Sequence, residues 1–255
     1  MTDITSINNQ QVKDWKKLHT RKERKKSNKY LVEGFHLVEE ALTYKNETID
    51  QIILREDLLT EEVFLNLKLD TKKVITVSQQ VAQELSETET NQGIFAVLSI
   101  PLSTQPDSIE GPFLLLDAVQ DPGNVGTMIR TADAAGFQGV FLGKGTVDLY
   151  NAKTIRSTQG SHFHIDVMEG DLAEFMSYLK EQKVKIYGTA LNETAESYKN
   201  INESAVFALM VGNEGSGISD EMMTFVDQNI YIPMKGQSES LNVAIAASIL
   251  MFHLN

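Results

Sequence analysis

The chain has 255 residues, enough for one large domain or two modest ones, and its 42% hydrophobic content with only five prolines excludes a disordered chain. It contains no cysteine, which excludes disulfides, thiolate nucleophiles and cysteine-ligated metals. The formal net charge of −12 conceals an asymmetry: residues 13–29 hold nine basic side chains against two acidic ones, a local +7 that leaves −19 for the remainder.

Taken in chain order, residues 2–29 offer no apolar stretch for a secretory leader. The most apolar segment, 243–252, is far shorter than the roughly 20 residues of a membrane span, so a soluble cytoplasmic protein is expected. The basic run, with Lys17, Arg21, Lys22, Arg24, Lys25, Lys26 and Lys29, is either a patch that steers a polyanion or a solvated helix or tail. Residues 30–99 then read as a small α/β unit. Strands are predicted at 30–34, 49–54, 74–77 and 94–99, with a helix from Phe35 through Leu42 and another at 61–69. The turn-rich stretch 101–108, with two prolines, is the candidate linker.

From residue 113 the pattern becomes more regular. Strands are predicted at 113–119, 139–142, 185–191, 205–211 and 229–233, several of them continuous apolar runs of the kind buried on both faces of a parallel sheet. Helices alternate with them at 125–135, 152–159, 172–182, 220–227 and 242–254, which predicts an α/β domain. The last of these helices is apolar nearly all round and is expected to be buried.

Three segments of this second unit carry candidate chemistry. In the first, a strand ends at Asp121-Pro122-Gly123, Asn124 is positioned to cap the following helix, and Thr127, Arg130 and Thr131 share its polar side. Such a face suits phosphate or ribose contact, or else is a plain capped helix with a surface charge. In the second, Gly212, Gly215 and Gly217 follow an apolar strand and enclose Glu214. This is neither dinucleotide fingerprint nor P-loop, and a carboxylate there would repel phosphate but suit a neutral, cationic or hydroxyl-bearing ligand; the alternative is a tight turn with an exposed Glu. In the third, Pro233 and Gly236 break a strand, and Ser238, Ser240 and Asn242 gather at the start of the final helix, either as caps or as ligand groups.

In order and spacing these segments resemble the three motifs of the SpoU (TrmH-like) family of RNA ribose methyltransferases within the SPOUT superfamily. The residues are Asn124-Val-Gly126-Thr-Met-Ile-Arg130, Gly212-Asn-Glu214-Gly-Ser-Gly217, and Ile232-Pro-Met-Lys-Gly236-Gln-Ser-Glu-Ser240-Leu241-Asn242-Val243. More loosely, residues 21–41 resemble the opening of a ribosomal-protein-like substrate-binding domain that many members carry.

The resemblance implies an RNA substrate-binding domain over 1–100, a linker over 101–112, and over 113–255 a SPOUT-type parallel-sheet domain with a trefoil knot. It implies a homodimer that uses S-adenosylmethionine, without a metal, to methylate a ribose 2′-hydroxyl, with ribosomal RNA of the large subunit favoured and no DNA partner. A transfer-RNA enzyme and a non-catalytic RNA-binding module holding the same cofactor are the alternatives. Carried over by motif, Asn124, Arg130, Glu214, Ser240 and Asn242 would form the catalytic group. Ala190, Leu191, Gly212, Gly217, Ile232, Met234, Ser240 and Leu241 would contact the cofactor, and the basic run would contact RNA.

Overall fold

The computed structural model describes residues 2–60, 67, 69–102, 104–190, 192 and 194–255. The chain divides into two compact units: residues 1–102 with 150–163, and residues 103–149 with 164–255.

The first unit is built on strands β1 (Thr2–Ile4), β2 (Lys29–Glu33), β3 (Ile49–Arg55), β4 (Val74–Val77) and β5 (Ile94–Ser99), in the sheet order β1-β4-β3-β5-β2. The β1–β4 and β4–β3 pairs are parallel; β3–β5 and β5–β2 are antiparallel. Because strand side chains alternate between faces, each strand feeds two cores. Ile52, Leu54, Ile94, Ala96, Leu98, Tyr30 and Val32 go to one core. Ile53, Phe95, Val97 and Leu31 go to the other. The first core is closed by helix α3 (Phe35–Tyr44) through Leu37, Val38 and Ala41, and the second by α1 (Gln10–Lys17) and α4 (Gln79–Leu85). The basic run is folded rather than a tail: α1 and α2 (Arg21–Ser27) together carry eight of its nine basic residues, and Lys29 opens β2.

Several elements here escaped sequence reading. β1, α1 and α4 carry too few residues for a clear period, and the helix expected at 61–69 falls mostly outside the described residues. From its position in the chain, helix α6 (Ala152–Thr158) is expected in the second domain. It belongs to the first unit, because Ile155 and Phe163 are buried in the core that contains Tyr30 and Val38.

The second unit is a seven-stranded sheet of order β10-β12-β9-β11-β6-β7-β8, with every pair parallel. Its strands are β6 (Phe113–Leu116), β7 (Gly139–Gly143), β8 (Asp166–Gly170), β9 (Lys185–Thr189), β10 (Glu196–Ser197), β11 (Phe207–Val211) and β12 (Gln228–Tyr231). The predicted apolar runs became the inner strands, and β6, β7 and β11 are buried along their whole length. β8 and β10 were not foreseen; both lie at sheet edges, and β8 buries only Met168, so neither carries a strong apolar pattern. Helix α7 (Leu172–Glu181) covers one face with Leu172, Phe175, Met176 and Leu179, joined there by Met222 of the short α8 (Asp220–Met223). Helix α5 (Pro122–Ala134) packs against the last helix, α9 (Val243–Leu254), and these two pack against β7 and β11 respectively.

After β6 the chain moves to β7 and β8 on one side, while β11, β9 and β12 lie on the other. The border between β6 and β11 is therefore a topological switch point, where open parallel sheets leave a crevice beyond the carboxyl ends of their strands. All three motifs begin at those ends: residues 117–124 after β6, 212–217 after β11 and 232–242 after β12.

Candidate active site

The segment leaving β6 turns sharply. Ala118 has φ +55°, a left-handed conformation costing a non-glycine residue about 1–2 kcal/mol, so neighbouring contacts must hold it. Asp117, buried, donates its backbone N–H to Val211 O (2.9 Å) and accepts from Ser219 N (2.8 Å) through Oδ2. Thr146 Oγ1 donates to Leu116 O (3.1 Å), and Val147 N donates to Val119 O (2.9 Å).

The structure corrects the expected cap of α5. Asp121, not Asn124, is the N-cap: Pro122 opens the helix, and Asp121 Oδ1 accepts from Asn124 N at 2.9 Å. A proline lacking its own N–H suits the first helical position, which moves the start three residues upstream of the expected one. The Asn124 side chain is thereby released from capping and bridges the other two motifs. Its Nδ2 donates to Glu214 Oε1 (3.0 Å), while its Oδ1 accepts from Asn242 Nδ2 (3.0 Å). Asn242 is itself the N-cap of α9, its Oδ1 accepting from Ala244 N (2.9 Å) and Ile245 N (3.3 Å).

Glu214 accepts two further bonds, from Asp121 N to Oε1 (3.0 Å) and from Gln120 N to Oε2 (3.1 Å). Partial burial pushes its carboxyl pKa up. The donors from Asn124, Asp121, Gln120 and its own backbone N–H outweigh that effect and hold the group below the ordinary carboxylate value. Glu214 is therefore an ionised positioning group that fixes both the first-motif turn and Asn124.

Arg130 lies on the exposed face of α5, with no hydrogen bond, ion pair or ring contact among the described residues. Its guanidinium is available to an anion. Thr131, beside it, receives a bond from Ser248 Oγ of α9 at 3.2 Å. Of the expected catalytic group, Asn124, Glu214 and Asn242 come together. Ser240 remains exposed in the third-motif loop, where its carbonyl accepts from Ser238 Oγ. The serines do not cap the final helix; Asn242, itself exposed, does so just ahead of the half-buried Val243 and the buried Ala244. Sequence reading missed Asp117, Asn213 and Thr146, which bind backbone groups of neighbouring segments and belong to no recognisable pattern.

The expected cofactor residues lie on the same edge of the sheet. Gly212 follows β11 in a cramped position: a side chain there would place its first carbon 2.1 Å from the carbonyl carbon of Gly217. Gly217 has φ +72° and nothing within 4 Å of where its side chain would begin. Ala190, Ile232 and Leu241 are half-buried, Met234 and Ser240 are exposed, and Leu191 lies outside the described residues. Between Pro233 and Leu241 the one hydrogen bond among the described residues is that of Ser238, so the loop retains backbone donors and acceptors for a ligand. Neutral side chains and open backbone at these cofactor positions fit S-adenosylmethionine, which has no phosphate to cradle. Among the described residues no three His, Asp or Glu side chains gather to hold a metal, and no helix is long and apolar enough to cross a membrane.

In the first unit the basic run sorts itself by burial. Arg24, expected to contact RNA, is only 4% exposed: it donates from Nη1 to Leu18 O at 2.8 Å, satisfying a carbonyl at the end of α1, and is no free phosphate contact. Lys17 pairs with Asp14 (2.7 Å) and Lys29 with Asp50. Lys22, Lys25 and Lys26 are exposed and carry no ion pair among the described residues, and Arg21 is exposed beside them.

Known proteins match this architecture from end to end. Residues 111–252 match the SpoU rRNA Methylase family, and residues 9–96 match the MRM3-like substrate binding domain. The chain is 49% identical over 255 residues to the 23S rRNA (guanosine(2553)-2′-O)-methyltransferase RlmP of Bacillus subtilis, covering 100% of this chain and 99% of that one. Among solved structures, an AdoMet-bound rRNA methyltransferase from Sinorhizobium meliloti superposes with a TM-score of 0.87 at 29% identity, over 99% of this chain and 97% of the other. A putative RNA methyltransferase of the TrmH family from Porphyromonas gingivalis does so at 0.86 and 29%, over 98% of each chain. With its three motifs joined at one crevice and both of its units matched, the chain belongs to the SpoU rRNA methylase family.

Proposed function

We propose that this protein transfers a methyl group from S-adenosylmethionine to the ribose 2′-hydroxyl of a nucleotide in 23S ribosomal RNA. The observation that carries this is the hydrogen-bond chain Asn242–Asn124–Glu214, which joins all three motifs at the start of the helix that also presents the exposed, unpaired Arg130. Full-length similarity to the Bacillus subtilis enzyme makes the guanosine named for that relative the first position to test.

When bound, the cofactor supplies a methyl group on a sulfonium, already a good electrophile. The chain's own task is to orient a weakly acidic hydroxyl. Arg130 keeps its proton, because arginine is effectively never deprotonated in proteins, and pairs with the phosphate next to the target ribose. Asn124, locked by Glu214 and Asn242, lies one to two turns earlier on the same helix and sets the position of that sugar. Arg130 and Asn124 would hold the hydroxyl oxygen in line with the methyl carbon that the bound cofactor would supply, the sulfonium keeping the electron pair of the bond it gives up, while the hydroxyl proton is left free to pass to phosphate or water. Positioning of this kind supplies much of the rate.

Delivery of RNA falls to the first unit, where Arg21, Lys22, Lys25 and Lys26 form an exposed basic face on α2. The working form is a homodimer. Ile245, Ile249 and Phe252 lie exposed along one side of α9 at spacings of four and three, an apolar stripe suited to a second copy. Its substrate is made and assembled in the cytoplasm, which is where the protein then acts.

The test is transfer of a labelled methyl group to total RNA from a strain lacking this gene, followed by nuclease digestion and mass spectrometry. A 2′-O-methylated nucleoside in large-subunit RNA is expected. Label in transfer RNA instead, or no transfer while calorimetry shows bound cofactor, would overturn it.

A further inference from the structure

The second motif contains a residue that its glycines and glutamate leave unassigned. Asn213 lies between Gly212 and Glu214, and every polar atom of it is engaged. Its backbone N–H donates to Gly217 O and its carbonyl accepts from Gly217 N, both at 2.9 Å, which closes the loop into a narrow bridge. Its side-chain Oδ1 accepts from Gly215 N (2.9 Å), Ser216 N (3.1 Å) and Ser216 Oγ (3.3 Å), so the loop wraps around that oxygen. Its Nδ2 leaves the loop and donates to Ala118 O at 2.9 Å.

That last bond crosses 95 residues of sequence to the one left-handed non-glycine residue of the first-motif segment. Ala118 precedes Gln120 and Asp121, whose N–H groups must point at the Glu214 carboxylate. The two loops therefore meet through two neighbouring side chains of opposite polarity: Asn213 donates to a carbonyl, and Glu214 accepts from two N–H groups and from Asn124. On the far side Gly145 lies close, since a side chain there would meet the Ala118 methyl at 3.1 Å.

We propose that Asn213 is a positioning residue for methyl transfer, setting through Ala118 the register in which Glu214 grips the first-motif turn and orients Asn124. This rests on the catalytic reading of Asn124 and Arg130 given above. Asn213 touches neither substrate nor cofactor in this account and acts through Glu214.

The test uses the full chain with Asn213→Asp, which keeps the acceptor that shapes the loop but replaces the amide donor, and Asn213→Ala, which removes both. The expected result is a fall in kcat of about 100-fold for each, with the KM for S-adenosylmethionine changed by less than about threefold. Because the two residues act as a unit, Asn213→Asp combined with Glu214→Gln should be no slower than Glu214→Gln alone, within about threefold. Unchanged kcat in Asn213→Asp, losses that multiply in the double variant, or a loss appearing only in KM would each overturn the inference. Arg130→Ala in the same assay separates the two levels. If it retains turnover the catalytic reading fails; if it is inactive while the Asn213 variants turn over normally, only the role of Asn213 fails.

Discussion

Asn242 donates its side-chain amide to Oδ1 of Asn124 at 3.0 Å while its own Oδ1 caps helix α9, so one residue starts a helix and orients a catalytic-motif side chain 118 positions away. The two tasks use different atoms and can be separated. Asn242→Ser retains a capping oxygen, which costs only a few tenths of a kcal/mol in helix stability, but loses the amide donor. Turnover should fall by about 10-fold or more with little change in melting temperature. A thermal melt and a single-turnover assay on the same sample decide it; unaltered turnover would mean that Asn124 needs no orientation from the third motif.

Glu214→Gln places an amide NH2 where a carboxylate oxygen now accepts an N–H. Turnover is expected to fall about 100-fold, with cofactor affinity by calorimetry largely kept. The wild-type carboxyl is held below its ordinary value of 4.5. Its contribution to stability is therefore complete above that value and disappears as pH falls through the lower folded-state pKa. The gap in melting temperature between wild type and Glu214→Gln should stay constant from neutral pH down to about 4.5 and close only below it. A gap that closes nearer pH 6 would point to a different titrating group.

Arg130→Lys keeps a positive charge but loses the planar fork that engages phosphate through two parallel bonds. RNA affinity should stay within a few-fold while kcat falls about 100-fold, and Arg130→Ala should be slower still. Filter binding alongside methyl-transfer kinetics separates the two quantities, and full activity in the lysine variant would contradict the role given to Arg130.

The basic helix makes a split prediction. Replacing Lys22, Lys25 and Lys26 with Gln should leave the fold intact and flatten the salt dependence of RNA binding, by up to about 2 in log–log slope for three lost phosphate contacts. Arg24→Ala should instead lower the melting temperature, because a buried guanidinium and its bond to Leu18 O are lost, a cost of about 1–3 kcal/mol. An unchanged salt slope in the triple variant would return this helix to a merely solvated face.

For the apolar stripe of α9, Phe252→Glu puts a charge on a side chain that is 62% exposed in the single chain. Sedimentation should show a dimer for wild type and a monomer for the variant, with the unit still folded by circular dichroism. A wild-type monomer at micromolar concentration would remove the dimer from the proposal.

Much of this molecule can be read from local sequence. Continuous apolar runs identify β6, β7 and β11, because a strand covered on both faces needs no polar side; alternating strands and helices then imply a parallel sheet. The three motifs are contiguous, and so is the charge contrast between residues 13–29 and the rest.

What the sequence left open depends on which groups the folded chain brings together, most of them distant in sequence. Asn124 looks like a cap until Asp121 and Pro122 take that position and leave its amide to Glu214 and Asn242, 90 and 118 residues away. Arg24 looks like its exposed neighbours until the turn after α1 brings it to the Leu18 carbonyl. Helix α6 reads as part of the domain around it until Ile155 and Phe163 find the first unit's core. Helix α9 looks uniformly apolar, yet only one side faces α5 and the sheet, which leaves Ile245, Ile249 and Phe252 exposed. Periodicity and composition report how a segment meets solvent and its near neighbours. Which polar atom meets which, and which apolar face stays uncovered, is decided by packing between distant segments, so only the tertiary structure determined them.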